Sequence, residues 1–109
     1  MTPDTRVYRW NDLQLQKITA MISRKVIVGD QQTLVQAYLK RGVQIPIHSH
    51  EYEQMVYVLQ GVLRCLVGVR RVTVCEGEVL HIPAGVRYQV EAVEDTFDLT
   101  VFALGGSEL

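Results

Sequence analysis

"IPIHSHEYEQMVYVLQG", residues 45 to 61, is a run of strand-forming residues that carries two histidines one residue apart and closes on a glycine. On an extended chain alternate side chains leave opposite faces, so His48 and His50 share a face and can converge on one ion. Gln54 keeps the same parity. The intervening "EYE" reads as a turn into the next strand, which brings Gln54 alongside the pair from a neighbouring strand. Two histidines at this spacing are equally compatible with a polar strand edge, so both readings stand at the level of these residues.

Working outward, hydrophobic period two recurs along the chain and a convincing period of 3.6 does not. Strand-like runs appear at "ISRKVIV", "TLVQAYLK", "QMVYVL", "VLRCLV", "RRVTVC", "EVLHIP", "RYQVEAV" and "FDLTVFAL", broken by glycine-bearing turns. Short strands at this spacing predict an all-β sandwich or barrel. "NDLQLQKITAM" is the one stretch with any helical pattern, and it is too short and too poorly patterned to form a helix. In "LRCLVGVRRVTV" a two-residue loop, Gly68-Val69, suits a type II' turn, because only the first central position then needs positive φ. Counting outward from it sets Arg70 opposite Val67, Cys65 opposite Val72 and Cys75 opposite Val62. The cysteines are therefore not partners and no disulfide is expected. Arg70 and Arg71 read as a solvated hairpin tip.

The chain has 109 residues, enough for one domain, 1–109, and too few for two. Eleven basic and twelve acidic residues give a formal charge of -1 without a basic stripe, which argues against a nucleic-acid partner. No apolar run approaches the length that spans a bilayer and "MTPDTRVYRW" lacks a leader's apolar core, so a soluble, cytoplasmic protein with no membrane partner is expected. The closing "GGSEL" reads as a frayed tail.

Gly42, five residues, His48, one, His50, three, Gln54, six, Gly61 resembles the first motif of the cupin superfamily, which usually carries Glu at the Gln54 position. Gly77, five residues, Pro83, one, Gly85, two, Tyr88 is similar to the second motif, which usually ends in His. The resemblance covers about Tyr8 to Leu104 and implies a cupin fold, a jelly-roll antiparallel β-barrel of the RmlC-like kind, with a metal and a small-molecule ligand inside. "ISRK", "HSHEYEQ", "YVLQG" and "GEVLHIPAGV" look most like the small single-domain cupins of the KdgF type, which hold a divalent metal through three histidines and a glutamine and open unsaturated uronates. The resemblance thus implies a carbohydrate ligand, His48, His50, Gln54 and Tyr88 as the metal set, and a divalent zinc, nickel, manganese or iron ion. Small cupins of this kind are usually homodimers, and Trp10 is expected to pack on the barrel or on a second subunit.

Two departures bear on mechanism. Tyr88 replaces the fourth imidazole, and a phenol with a pKa near 10 is a poor ligand while protonated. KdgF-type cupins end in a strand reading D-x-F-x-x-x-R; here Thr100 stands at the Asp position, Phe102 is kept and Gly106 replaces the Arg. Asp98 shares a strand face with Thr100 but lies about 7 Å further along. His81, Phe102, Thr100 and Arg24 are expected to line the pocket, Arg24 meeting an anionic group and His81 serving as a second-shell or substitute ligand. Glu53 is expected outside, since a one-residue slip would turn it inward in place of Gln54. Two functions remain open: a metal-dependent enzyme on a sugar or organic acid, and a non-catalytic cupin binding a small ligand.

Overall fold

A computed structural model describes residues 5–103. After a single 3-10 turn at Trp10–Asp12, ten strands follow in order: β1 Gln16–Lys17, β2 Ile22–Val28, β3 Thr33–Leu39, β4 Gln44–His48, β5 Gln54–Gln60, β6 Val62–Val67, β7 Arg70–Cys75, β8 Val79–Ile82, β9 Tyr88–Ala92 and β10 Thr96–Phe102. The fold is all-β, and the weak helical pattern after Trp10 resolves into that one turn and the two residues of β1. "GGSEL", Gly106 and Leu104 lie outside the described residues.

The strands form two antiparallel sheets, one ordered β1-β2-β3-β10-β5-β8 and the other β4-β9-β6-β7. The last strand thus sits between the third and the fifth, the long-range crossing typical of jelly rolls. Val56, Val58 and Ile82 from the larger sheet pack with Leu63, Cys65, Val74, Tyr88 and Ala92 from the smaller one in a shared core. Strand alternation explains this: in β5 the even residues Gln54, Val56 and Val58 are buried and the odd Met55 and Tyr57 exposed.

The hairpin register matches the sequence expectation at each pair: Val67 faces Arg70, Cys65 faces Val72 and Val62 faces Cys75. Gly68 has φ of 60°, while Val69 stays out of the positive-φ region, as a type II' turn requires. Both cysteines are free thiols, Cys65 buried and Cys75 exposed. Arg70 and Arg71 are exposed at the tip. The φ of Gly61 is 100°, and a Cβ there would lie 2.5 Å from the Asp95 carbonyl oxygen, so the β5–β6 turn admits no side chain.

Candidate functional site

β4 is the strand that aims the histidines, and it does so by breaking its own alternation. Ile45 pairs with Val90 and His48 with Tyr88, so three steps on β4 answer two on β9, which is a β-bulge. Pro46, with no N–H to give the ladder, lies inside the irregularity. Ile45 is half-buried, Ile47 is 49% exposed, and the inward face passes from odd to even residues at His48. Without the bulge, His48 would share the outward face of Gln44.

His48 Nδ1 lies 2.8 Å from the Pro46 carbonyl oxygen. A carbonyl only accepts, so Nδ1 carries the proton and Nε2 keeps its lone pair for a ligand. The rings of His48 and His50 are 5.0 Å apart and inclined at 80°. Two imidazoles sharing one ion through bonds of about 2.1 Å have ring centres roughly 5 Å apart. His50 is stacked on Tyr52 at 5.0 Å and meets Phe102 edge-on at 5.8 Å. The Gly85 amide donates to the His50 carbonyl at 2.7 Å, and Gly85 itself has φ of 77°. The Pro83-Ala84-Gly85 turn therefore ties the second glycine-bearing motif to the histidine pair.

Gln54 comes from the opposite sheet, at the start of β5, between Phe102 of β10 and Ile82 of β8. It is 5% exposed, and its Oε1 accepts from the Tyr88 hydroxyl at 3.1 Å. Burial pushes the Tyr88 phenol up to about 12, the Gln54 hydrogen bond offsetting only part of that. Tyr88 thus donates as a protonated phenol to Gln54, and in that state it is a poorer ligand than the two imidazoles. Its oxygen orients the amide instead. The donor set that remains, His48, His50 and Gln54, is two imidazoles and a neutral amide oxygen, chemistry that fits a borderline divalent transition ion. Among the described residues no group of three His, Cys, Asp or Glu side chains gathers to hold a metal.

A cavity of about 320 Å³ lies between the sheets, with His48, Gln54, Tyr88, Thr100, Phe102 and Arg24 in its wall. Most of the remaining wall is aliphatic, including Ile22, Leu39, Val56, Leu63, Leu80 and Ile82. Arg24 donates from Nε to Gln16 Oε1 at 3.0 Å, which holds it to the β1 strand beside the cavity. Thr100 and Phe102 are buried in the inward row of β10. Among the described residues, the structure thus gathers these six of the eight sequence candidates in one wall, with His50 against its edge.

His81 is a correction. Leu80 and Ile82 are the residues of β8 that reach the cavity, so alternation turns His81 outward, where it is exposed and lies 3.2 Å from Glu53. It neither lines the cavity nor substitutes for an imidazole ligand. The same alternation puts Glu53 outside and Gln54 inside.

Asp98 is the wall residue that sequence reasoning set aside. It is 4% exposed, on the inward row of β10, and its Oδ1 accepts from Thr100 Oγ1 at 3.0 Å. Burial pushes the carboxyl up to about 7, against the lowering effect of the Thr100 hydrogen bond. Shared parity with Thr100 and Phe102 was the available signal; burial depended on how the sheets pack.

Comparison with known proteins agrees with this architecture. A cupin from Shewanella frigidimarina described as RmlC-like superposes with a TM-score of 0.86 at 15% identity, covering 96% of both chains. KdgF from a Halomonas species superposes with a TM-score of 0.88 at 20% identity, covering 95% of this chain and 97% of that one. A variant of Bacillus subtilis oxalate decarboxylase gives 0.87 at 18% identity over 99% of this chain, which spans 32% of that enzyme. At these identities the likeness is one of fold. No curated protein matches the chain. Residues 34–105, more than half of the sequence, match the cupin domain family, and the chain belongs to it.

Proposed function

We propose that this cupin, a single domain over 1–109, binds a small and largely apolar molecule in the cavity between its sheets. A divalent transition ion, zinc, nickel, manganese or iron, is held at one end by His48, His50 and Gln54. The observation that carries this reading is the meeting of His48 and Gln54, from different sheets, in one cavity wall, with the His48 tautomer set by Pro46 so that Nε2 is available. A bound ion would supply a Lewis-acidic position for an oxygen of the ligand. The chain's own residues do the rest: Tyr88 orients the Gln54 amide, Phe102 and the aliphatic wall exclude water, and Asp98 and Thr100 offer hydrogen-bonding groups.

The wall argues against a sugar. A carbohydrate needs a partner for each hydroxyl it buries, and aliphatic side chains supply none. Uronate opening of the KdgF kind also lacks its carboxylate, since Thr100 occupies that place. Binding is therefore favoured over catalysis. A second reading, a metal-dependent enzyme, is supported by one feature, the buried Asp98 carboxyl with a proton affinity near neutrality.

No helix among the described residues is long and apolar enough to cross a membrane. A cytoplasmic homodimer is the assembly we favour, supported by two free thiols and by an apolar outer sheet face. The deciding experiment is elemental analysis of protein purified without added metal, alongside His48→Ala. Near-stoichiometric transition metal that is lost in the variant supports the site; none in either preparation removes the metal from the reading.

A further inference from the structure

Asp98 poses a physical question that the metal end of the cavity leaves unanswered. A carboxyl buried among apolar groups is costly unless a counter-charge or a set of donors compensates it. Its cross-strand neighbours are Ala37 on β3 and Val58 on β5, neither able to help. The Thr100 hydroxyl donates to Oδ1, and no ion pair among the described residues includes Asp98. The titratable groups that share its surroundings are Cys65 from β6 and, as further parts of the same wall, Tyr88 from β9, His48 from β4 and Arg24 from β2. Arg24 stands two strands away in the same register row, with Ala37 between them, roughly 10 Å across the sheet.

Asp98 and the Gln54 end are also far apart. Gln54 lies opposite Phe102, four residues along β10 from Asp98, which is about 13 Å of strand. Thr100 falls between them, and the wall between the two ends is mainly apolar, with Val56, Leu63, Leu80 and Val90 in it, so the chamber has two polar poles joined by a largely apolar passage.

We infer that Asp98 anchors a cationic nitrogen of the cavity's ligand, so that the ligand is an aliphatic amine whose hydrocarbon body runs from Asp98 toward the His48 and Gln54 pole. This rests on the proposal that the cavity binds a small apolar molecule, and it names the chemical class. An ammonium supplies the counter-charge that the fold withholds and two or three N–H donors for the carboxylate oxygens. Because Thr100 already donates to Oδ1, the pole is arranged to collect hydrogen bonds on an ionised carboxylate. The raised proton affinity of Asp98 fits a carboxyl awaiting such a partner, since an arriving cation would draw it back into the ionised state.

The test is calorimetric titration of the full chain with three probes of equal length, n-hexylamine, 1-hexanol and hexanoate, at about pH 8, where Asp98 is ionised. The amine is expected to bind at least about tenfold tighter than the alcohol, with hexanoate weakest. Asp98→Asn, close in shape, should bring amine and alcohol within about threefold of each other, while Arg70→Ala, at the exposed hairpin tip away from the cavity, should keep the preference. Equal binding of amine and alcohol by the wild-type chain overturns the role of Asp98 and leaves the apolar cavity standing. An undiminished preference in Asp98→Asn overturns it as well. Absence of binding by all three probes overturns the cavity reading, and this inference with it.

Discussion

The Tyr88 hydroxyl and the Gln54 amide oxygen meet at 3.1 Å across the gap between the two sheets, and this single bond joins the first cupin motif to the end of the second. It places a donor where many cupins present an imidazole. The oxygen it orients belongs to the residue that replaces the usual carboxylate, so the residues at 54 and 88 that differ from the usual motif pair with one another.

Removing that donor leaves a buried amide oxygen with one hydrogen bond fewer. Tyr88→Phe should lower unfolding stability by about 1–3 kcal/mol in urea titration. Tyr88→His should raise affinity for nickel or zinc at least about tenfold in chelator competition, because a neutral imidazole replaces a protonated phenol. Unchanged metal affinity in Tyr88→His would count against His48, His50 and Gln54 as the remaining ligands.

Asp98 should make stability depend on pH in an unusual direction for a carboxyl. From its ordinary value of 3.8 up to about 7, the folded chain keeps a proton on Asp98 that the unfolded chain has released. Stability is then highest at the acidic end of that window and falls as the pH rises through it, levelling off above about 7. Asp98→Asn abolishes this contribution, so the variant should gain on the wild type progressively across the window. Urea midpoints measured in parallel at several pH values check it; a constant difference between the two proteins would refute it.

The outer face of the six-stranded sheet should carry the subunit contact. Met55 and Val101 are cross-strand partners there, and Tyr57 pairs with Val79 in the next row; all four are exposed. An apolar row of this kind on a sheet surface is a liability in a monomer. Val101→Glu should shift the light-scattering mass from two chains to one without loss of the far-ultraviolet β signature. A wild-type mass of one chain would dismiss this surface as the contact.

The degree to which these features were legible differed from strand to strand, for physical reasons. The β6–β7 register followed from one glycine, because a two-residue loop leaves no freedom in the pairing. Gln54 was separable from Glu53 by the spacing of the first motif, with strand alternation then sending the two side chains to opposite faces. His81 was misplaced because family likeness outweighed its own strand: in "VLHI" the apolar neighbours Leu80 and Ile82 already claim the inward face. The histidine pair was seen to share a side, but which side depended on the bulge at Pro46, and a bulge shows in sequence only as a proline out of place. The burial of Asp98 was illegible, since it depends on the facing sheet, from which Cys65 of β6 comes near it, as well as on its inward place in β10.

The irregularity in β4 has a bearing on how this ribbon tolerates changes in length. With one residue surplus between Ile45 and His48, losing Pro46 or Ile47 would restore a plain alternating ladder and still leave both imidazoles turned toward the interior. Losing Ser49 would make the histidines adjacent and send them to opposite sides. The segment before the pair therefore has slack for a deletion, and the single residue within it has none.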